Sequence, residues 1–403
     1  MRMFLCLGAF LMAALPAVAD DWPQWRGVNR DGTSRETGLL KSWPDGGPKL
    51  LWKATGLSEG FSAFSVVKGR VYTQGQRGDK QYVMALDDAT GKKVWEVEAG
   101  GSFRERRGHG PRGTPTIDGD RLYSLSADGT LLCLNPASGK KIWGFNILDK
   151  FRGDVPHWGI SESPLVDGNR LIVTPGGSDG GVVALDKMTG NVLWKSKMDD
   201  PAGYSSPVVV ESGGVRQYVV FTARGVVGLA ASTGELLWRY DKVSNRTANI
   251  ATPLFKNGHL FVSSDYGTGC ALLRVADKTG KAAEVYFNQD MKNHYSSSVL
   301  VGDHLYGFSS TVLTAMNMMT GQVAWRDRTV GKGSVTFADG HLYVYGENGG
   351  VALVEATPAG YKEKSRFAIT PGEFKTWTPP VIANGRMYLR DQDNLYCYDV
   401  RAK

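Results

Sequence analysis

Cysteine is scarce in this chain. Four are spread over 403 residues: Cys6, Cys133, Cys270 and Cys397. None falls in a C-x-x-C or C-x-x-C-H pattern, which excludes a thiol zinc knuckle and an attached c-type haem. Beyond Cys6 the count is odd, so a complete disulfide framework is excluded too. Histidine is also thin: six residues and no H-E-x-x-H, so a zinc hydrolase has no support. No G-x-S-x-G elbow favours a serine nucleophile, although a triad assembled in space stays open. No apolar run approaches the roughly 18 residues of a membrane span. Blocks of one charge are missing, apart from Arg104-Glu105-Arg106-Arg107. The formal net charge of +7 is therefore spread, and reads as solubility rather than as a nucleic-acid surface. Two stretches fall short of known loops. Gly176-Gly177-Ser178-Asp179-Gly180-Gly181 lacks the Lys-Ser/Thr of a phosphate loop, and Asp391-Gln392-Asp393-Asn394 lacks the Gly and distal Glu of a Ca²⁺ loop. Both read as turns.

Glycine is abundant instead, with 51 residues beside 11 Trp and 16 Tyr. That is the composition of many short strands joined by many turns. The first residues are of another kind. Arg2 precedes an uncharged apolar run from Phe4 to Leu15, and Ala17-Val18-Ala19 supplies the small residues a signal peptidase reads. This is the pattern of a secretory leader cut after Ala19. No cysteine follows the cut, so no lipid anchor is expected. The expectation is a periplasmic or secreted protein without a membrane span.

One pattern repeats. Ala85 to Trp95 reads A-x-D-x-x-T-G-x-x-x-W, and Ala184 to Trp194 repeats it. Ala315 to Trp325 has Asn317 for Asp, Cys133 to Trp143 has Cys for Ala, and Gly228 to Trp238 has Gly there. Weaker copies lie at Asp277-Lys278-Thr279-Gly280 and near Gly360. Before each copy stands an apolar run, a turn pair such as Asp118-Gly119 or Asp167-Gly168, and a second apolar run, which is a tight hairpin. Spacings along Trp52, Trp95, Trp143, Trp194, Trp238, Tyr286, Trp325 and Phe367 run from 39 to 51 residues. Such a period with about four strands per unit fits a propeller blade. Asp and Thr oxygens can bind turn N–H groups, Gly takes the positive φ, and Trp covers the next blade. Cys133 and Cys397 stand in the Ala slot and read as small core fillers.

Inner strands are expected to begin near Ser62, Thr114, Glu162, Ser206, Thr252, Ser297, Ser334 and Thr378, which makes eight blades. The last unit stops at Cys397-Tyr398-Asp399 without a Trp-bearing outer strand, while Lys49-Leu50-Leu51-Trp52-Lys53 has no unit of its own. The start of the chain is therefore expected to complete the last blade and remove the sheet edges. The organisation expected is a leader over residues 1–19, an extension over 20–47 and an all-β eight-bladed propeller over 48–403. The aromatic residues of the extension, with Trp22, Trp25 and Trp43, are expected against the propeller wall.

These copies resemble the tryptophan-docking repeats of the PQQ-binding-like, quinoprotein alcohol dehydrogenase-like propellers. Asp21-Trp22-Pro23-Gln24-Trp25-Arg26-Gly27 is similar to the opening of bacterial members of unassigned activity. The resemblance implies two kinds of work. One is PQQ- and Ca²⁺-dependent oxidation of an alcohol or sugar in the propeller mouth. The other is a non-enzymatic envelope scaffold of the outer-membrane assembly factor B type. The chain departs from both, having neither the adjacent Cys pair of the dehydrogenases nor the lipidated Cys of the assembly factor.

In a propeller the residues just before the inner strands converge on one mouth of the channel, and function tends to sit on such loops. Here they include His109, Arg112, His157, Trp158, Glu162, Tyr204, Asn249, His294, Tyr295, Lys332 and Trp377. Arg112 and Lys332 supply charge, Trp158, Tyr204, His294 and Trp377 supply rings, and together they suit a small anionic or quinone-like ligand. Glu162 and Asn249 carry oxygens of the type Ca²⁺ accepts. The same residues also suit a mouth that faces an envelope protein, or one that only caps strand ends. The reading preferred is a binding or scaffold module, with the quinoprotein dehydrogenase as its alternative.

Overall fold

The computed structural model describes residues 20–275 and 282–402. The leader over 1–19 and the Asp277-Lys278-Thr279-Gly280 copy lie outside the described residues. Within them the chain forms eight four-stranded antiparallel sheets. Blade one starts at Ser65, two at Thr116, three at Leu165, four at Val208, five at Leu254, six at Val299, seven at Gly333 and eight at Val381. One short helix, Ile147–Phe151, links blades two and three, and Asn146 caps it by accepting the Leu148 and Asp149 N–H groups.

Blade eight takes its fourth strand from the other end of the chain. Lys49–Ala54 pairs antiparallel with Asn394–Asp399, with Leu50 opposite Tyr398 and Trp52 opposite Cys397. The ring is thereby shut as the sequence indicated.

The repeat works as a latch between blades. The Asp or Asn side chain accepts the N–H three residues on, from Thr90 to Asp87 at 3.1 Å and from Thr189 to Asp186 at 2.9 Å. The Trp indole then donates to a carbonyl in the next blade's turn. Trp52 reaches Asp88 at 2.7 Å, Trp95 reaches Pro136 at 2.9 Å, Trp194 reaches Ala231 at 3.1 Å and Trp325 reaches Thr357 at 2.7 Å. The Tyr286 hydroxyl does the same to Met318 at 2.8 Å, which accounts for tyrosine in that slot. Gly91 is required twice over: its φ is +69°, and a Cβ there would meet the Trp52 ring at 2.6 Å.

Two slots differ from the repeat. Gly228 stands opposite Trp238, and a Cβ there would lie 2.1 Å from the indole nitrogen. Trp238 accordingly folds over its own blade and donates to Gln217 at 2.7 Å. In blade seven Arg366, not Phe367, stands opposite the small Ala352. The seam between blades seven and eight is covered by Trp43 of the extension, packed on Phe367 at 5.5 Å and Tyr343 at 6.0 Å. Cys133, Cys270 and Cys397 are buried free thiols, and burial pushes the first two up to about 12.

Candidate functional site

The axis of the propeller is filled by its own N-terminal segment. The Trp22 N–H donates to Val66 of blade one, and the Pro23 carbonyl accepts from Ile117 of blade two. The Trp25 indole donates to Thr252 Oγ1 at the start of blade five, 3.0 Å away. Arg26 Nη2 reaches the Ser298 carbonyl at 2.6 Å beside blade six, and Arg30 Nη2 reaches the Ser163 carbonyl at 2.7 Å beside blade three. Thr33 bridges to Phe337 of blade seven. A segment in contact with six inner strands occupies the centre. Trp25 is thus in the channel and not on the outer wall, where only Trp43 has the expected place.

Charge and backbone explain why the segment holds. Arg26 and Arg30 are buried, and burial lowers them to about 10 and about 9, so both keep their proton at neutral pH. Their N–H groups satisfy strand-end carbonyls that no ladder reaches. Both residues have positive φ, +61° and +58°, a strain that these bonds offset.

Above Trp25, at the mouth reached by the loops that precede the inner strands, lies a cavity of about 110 Å³. Trp377 forms one wall, stacked between Phe61 at 4.9 Å and Tyr295 at 5.7 Å. Trp158 and Tyr204 face each other across 5.6 Å on another side. Arg112 is held by the Gly110 carbonyl at 2.6 Å and the Gly108 carbonyl at 3.1 Å, with its guanidinium 5.1 Å from the Phe61 ring. Burial brings it down to about 10, still cationic at neutral pH. His294 is pushed down to about 4 by burial and by the charges of Lys332 and Arg107, which leaves it neutral. Its Nδ1 and the Tyr295 hydroxyl are buried and have no hydrogen-bond partner among the described residues.

Of the residues read from the sequence, Arg112, Trp158, Tyr204, His294 and Trp377 line this cavity, and Tyr295 lines it with them. Lys332 stands outside the lining, with its Nζ 5.7 Å from the Tyr295 ring. Asn249 belongs to its own loop: its Nδ2 donates to the Thr222 carbonyl at 3.0 Å and its Oδ1 accepts from Asn245 at 3.0 Å. Glu162 lies buried under the mouth, one carboxylate oxygen accepting the Thr174 N–H at 2.6 Å and the other without a partner. Sequence reasoning missed Trp25, Phe61, Arg107 and Tyr266 of the lining. Only Arg107 had a signal, the basic run of residues 104–107.

These residues do not fit the quinone–calcium pair. The Asn249 amide is spent on Thr222, Ala223 and Asn245, and the nearby charge on Glu162 is the guanidinium of Arg30. No group of three His, Cys, Asp or Glu side chains suited to a metal occurs among the described residues. The inner part of the cavity is on the scale of an engineered cavity of roughly 150 Å³ that binds benzene.

A family model described as outer membrane protein assembly factor BamB matches residues 79–327. BamB of Shewanella oneidensis is 22% identical over 75% of this chain and 72% of its own length. Quinoprotein alcohol dehydrogenase PedH of Pseudomonas putida is 26% identical over 64% of this chain, which spans only 45% of that relative. Among solved structures, BamB of Moraxella catarrhalis matches with a TM-score of 0.63 at 15% identity, covering 88% of this chain and 98% of that one. Quinohemoprotein alcohol dehydrogenase of Comamonas testosteroni matches at 0.66 and 14% identity, covering 95% and 81%. These structures share the fold with this chain. With a family match over more than half its length, the chain belongs to the outer membrane protein assembly factor BamB family of PQQ-like β-propellers.

Proposed function

We propose that this protein is an exported binding or scaffold module of the bacterial cell envelope, which engages its partner through the loop-built mouth above Trp25. The observation that carries this reading is the chemistry of the mouth. It offers rings, cations and unpartnered donors, which recognise, while the Asn249 amide is used inside the fold and Glu162 lies buried against Thr174 and Arg30. Membership of the BamB family supports an envelope protein partner. Export rests on the leader read over residues 1–19.

The alternative, a PQQ-dependent dehydrogenase, draws on the likeness to PedH. One experiment separates the two. Purified protein is mixed with PQQ and Ca²⁺ and assayed for alcohol-dependent dye reduction, while immobilised protein and its Trp377→Ala variant are exposed to a solubilised envelope fraction. A protein retained by the wild type and lost by the folded variant supports the scaffold reading. Dye reduction overturns it.

A further inference from the structure

The mouth pocket also indicates what enters it. Its cavity has room for about one ring. Trp25 closes it below, and the Phe61–Trp377–Tyr295 stack presents flat faces at its side. The formally charged residues of its lining are Arg107 and Arg112, and no carboxylate lines it. The nearest acids are engaged elsewhere: Glu105 accepts the Arg107 N–H, Asp265 the Ser310 hydroxyl and Glu347 the Trp377 indole. The Tyr295 hydroxyl and His294 Nδ1 stand on the same wall without partners among the described residues. Burial keeps the tyrosine protonated, so its O–H is a donor in want of an acceptor.

We infer that the pocket recognises a single planar ring carrying a carboxylate, with the ring seated on Trp25 and the carboxylate drawn by Arg107 and the Tyr295 hydroxyl. The inference rests on the reading of the mouth as a binding site and names the ligand chemistry of that site. Arg112 contributes a fixed positive field: its guanidinium is already held by two carbonyls and lies over Phe61 and Phe103. Arg107 is exposed at the rim, and the structure records no bond from its guanidinium among the described residues, so it is free to close on a carboxylate.

The test is ligand-observed NMR on the purified protein, with circular dichroism to verify that each variant is folded. Phenylacetate, phenethylamine and naphthylacetate are the probes. Phenylacetate is expected to bind and phenethylamine not to bind. Arg107→Gln is expected to weaken phenylacetate by about tenfold, the effect of losing one charged hydrogen bond. Trp25→Ala lowers the floor, so it is expected to admit naphthylacetate, which the wild type excludes. A near-UV circular dichroism spectrum and a urea midpoint matching those of the wild type separate that gain from loosened packing. The inference is overturned if the amine binds as well as the acid, if no acid binds at millimolar concentration, or if Trp25→Ala leaves ring size unread. Retention of an envelope protein that depends on Trp377 is decided separately, so this class can fail while the scaffold reading stands.

Discussion

Arg390 in blade eight places its Nη1 2.6 Å from the carbonyl oxygen of Gln74 in blade one. The same guanidinium reaches the Ser62 carbonyl at 3.0 Å, Thr73 Oγ1 at 2.9 Å and the Ser58 carbonyl at 3.0 Å. The seam where the two ends of the chain meet is thus held by a buried cation that binds carbonyls rather than a carboxylate. Burial lowers it to about 10, so it is charged at neutral pH.

Arg390→Met is therefore expected to destabilise the ring by about 3 kcal/mol or more, since it strips several buried acceptors of a charged donor. Urea unfolding measures this. A midpoint unchanged from wild type would show that the zipped strand alone holds the seam.

The structure makes a second expectation about cations. With Asn249 committed to Thr222, Ala223 and Asn245, the mouth holds no ligand set for Ca²⁺ among the described residues. Thermal unfolding is expected to give the same midpoint in millimolar Ca²⁺ and after chelation. A rise with Ca²⁺ that Asn249→Ala abolishes would contradict this, because a site that binds only the folded state must stabilise it.

The thiols give a third. Cys133 and Cys397 lie across from Trp143 and Trp52, fully buried, and burial raises every described thiol above its ordinary value. A thiolate is the reactive form. Native protein at neutral pH is expected to leave Cys133, Cys270 and Cys397 unlabelled by an alkylating reagent, and urea to expose all of them. Labelling of Cys133 without denaturant would place that blade seam in motion.

The sequence showed the blades because the latch is local: Asp87, Thr90, Gly91 and Trp95 meet within one hairpin, so their spacing states their geometry. The closure by Lys49–Ala54 was also legible, since the last unit lacks an outer strand and the first strand has no unit of its own. Trp25 was not. Its neighbours Thr252 and Trp377 lie more than two hundred residues away, and no periodicity marks a segment that threads an axis. Asn249 looked like a ligand because a residue type was read without its hydrogen bonds. Six of the eleven mouth residues named from position line the pocket, because strand starts must converge. Glu162 and Asn249 fall short because the loop turns their side chains into the fold.

Glu162 carries the last prediction. Burial pushes its carboxyl up to about 7 from an ordinary 4.5, although Arg30 pulls it down. Between about pH 4.5 and about pH 7 the folded state therefore holds a proton that the unfolded state has released. Stability must fall as pH rises through that window, by about 3 kcal/mol in all. His294 acts in the opposite sense: lowered to about 4 from 6.5, it is charged in the unfolded state and neutral in the folded one, so stability rises with pH between those values. The two slopes oppose each other in the wild type and part company in variants. Glu162→Gln keeps an acceptor for the Thr174 N–H and removes the fall, so its urea midpoint is expected to gain on wild type steadily up to about pH 7 and then hold. His294→Gln is expected to show the fall unmasked. Arg30→Met deprives Glu162 of its neighbouring positive charge, which raises the carboxyl further and carries the loss on to higher pH. A Glu162→Gln profile parallel to wild type would mean that the carboxyl titrates as it does in water, and that the filled channel is wetter than its packing states.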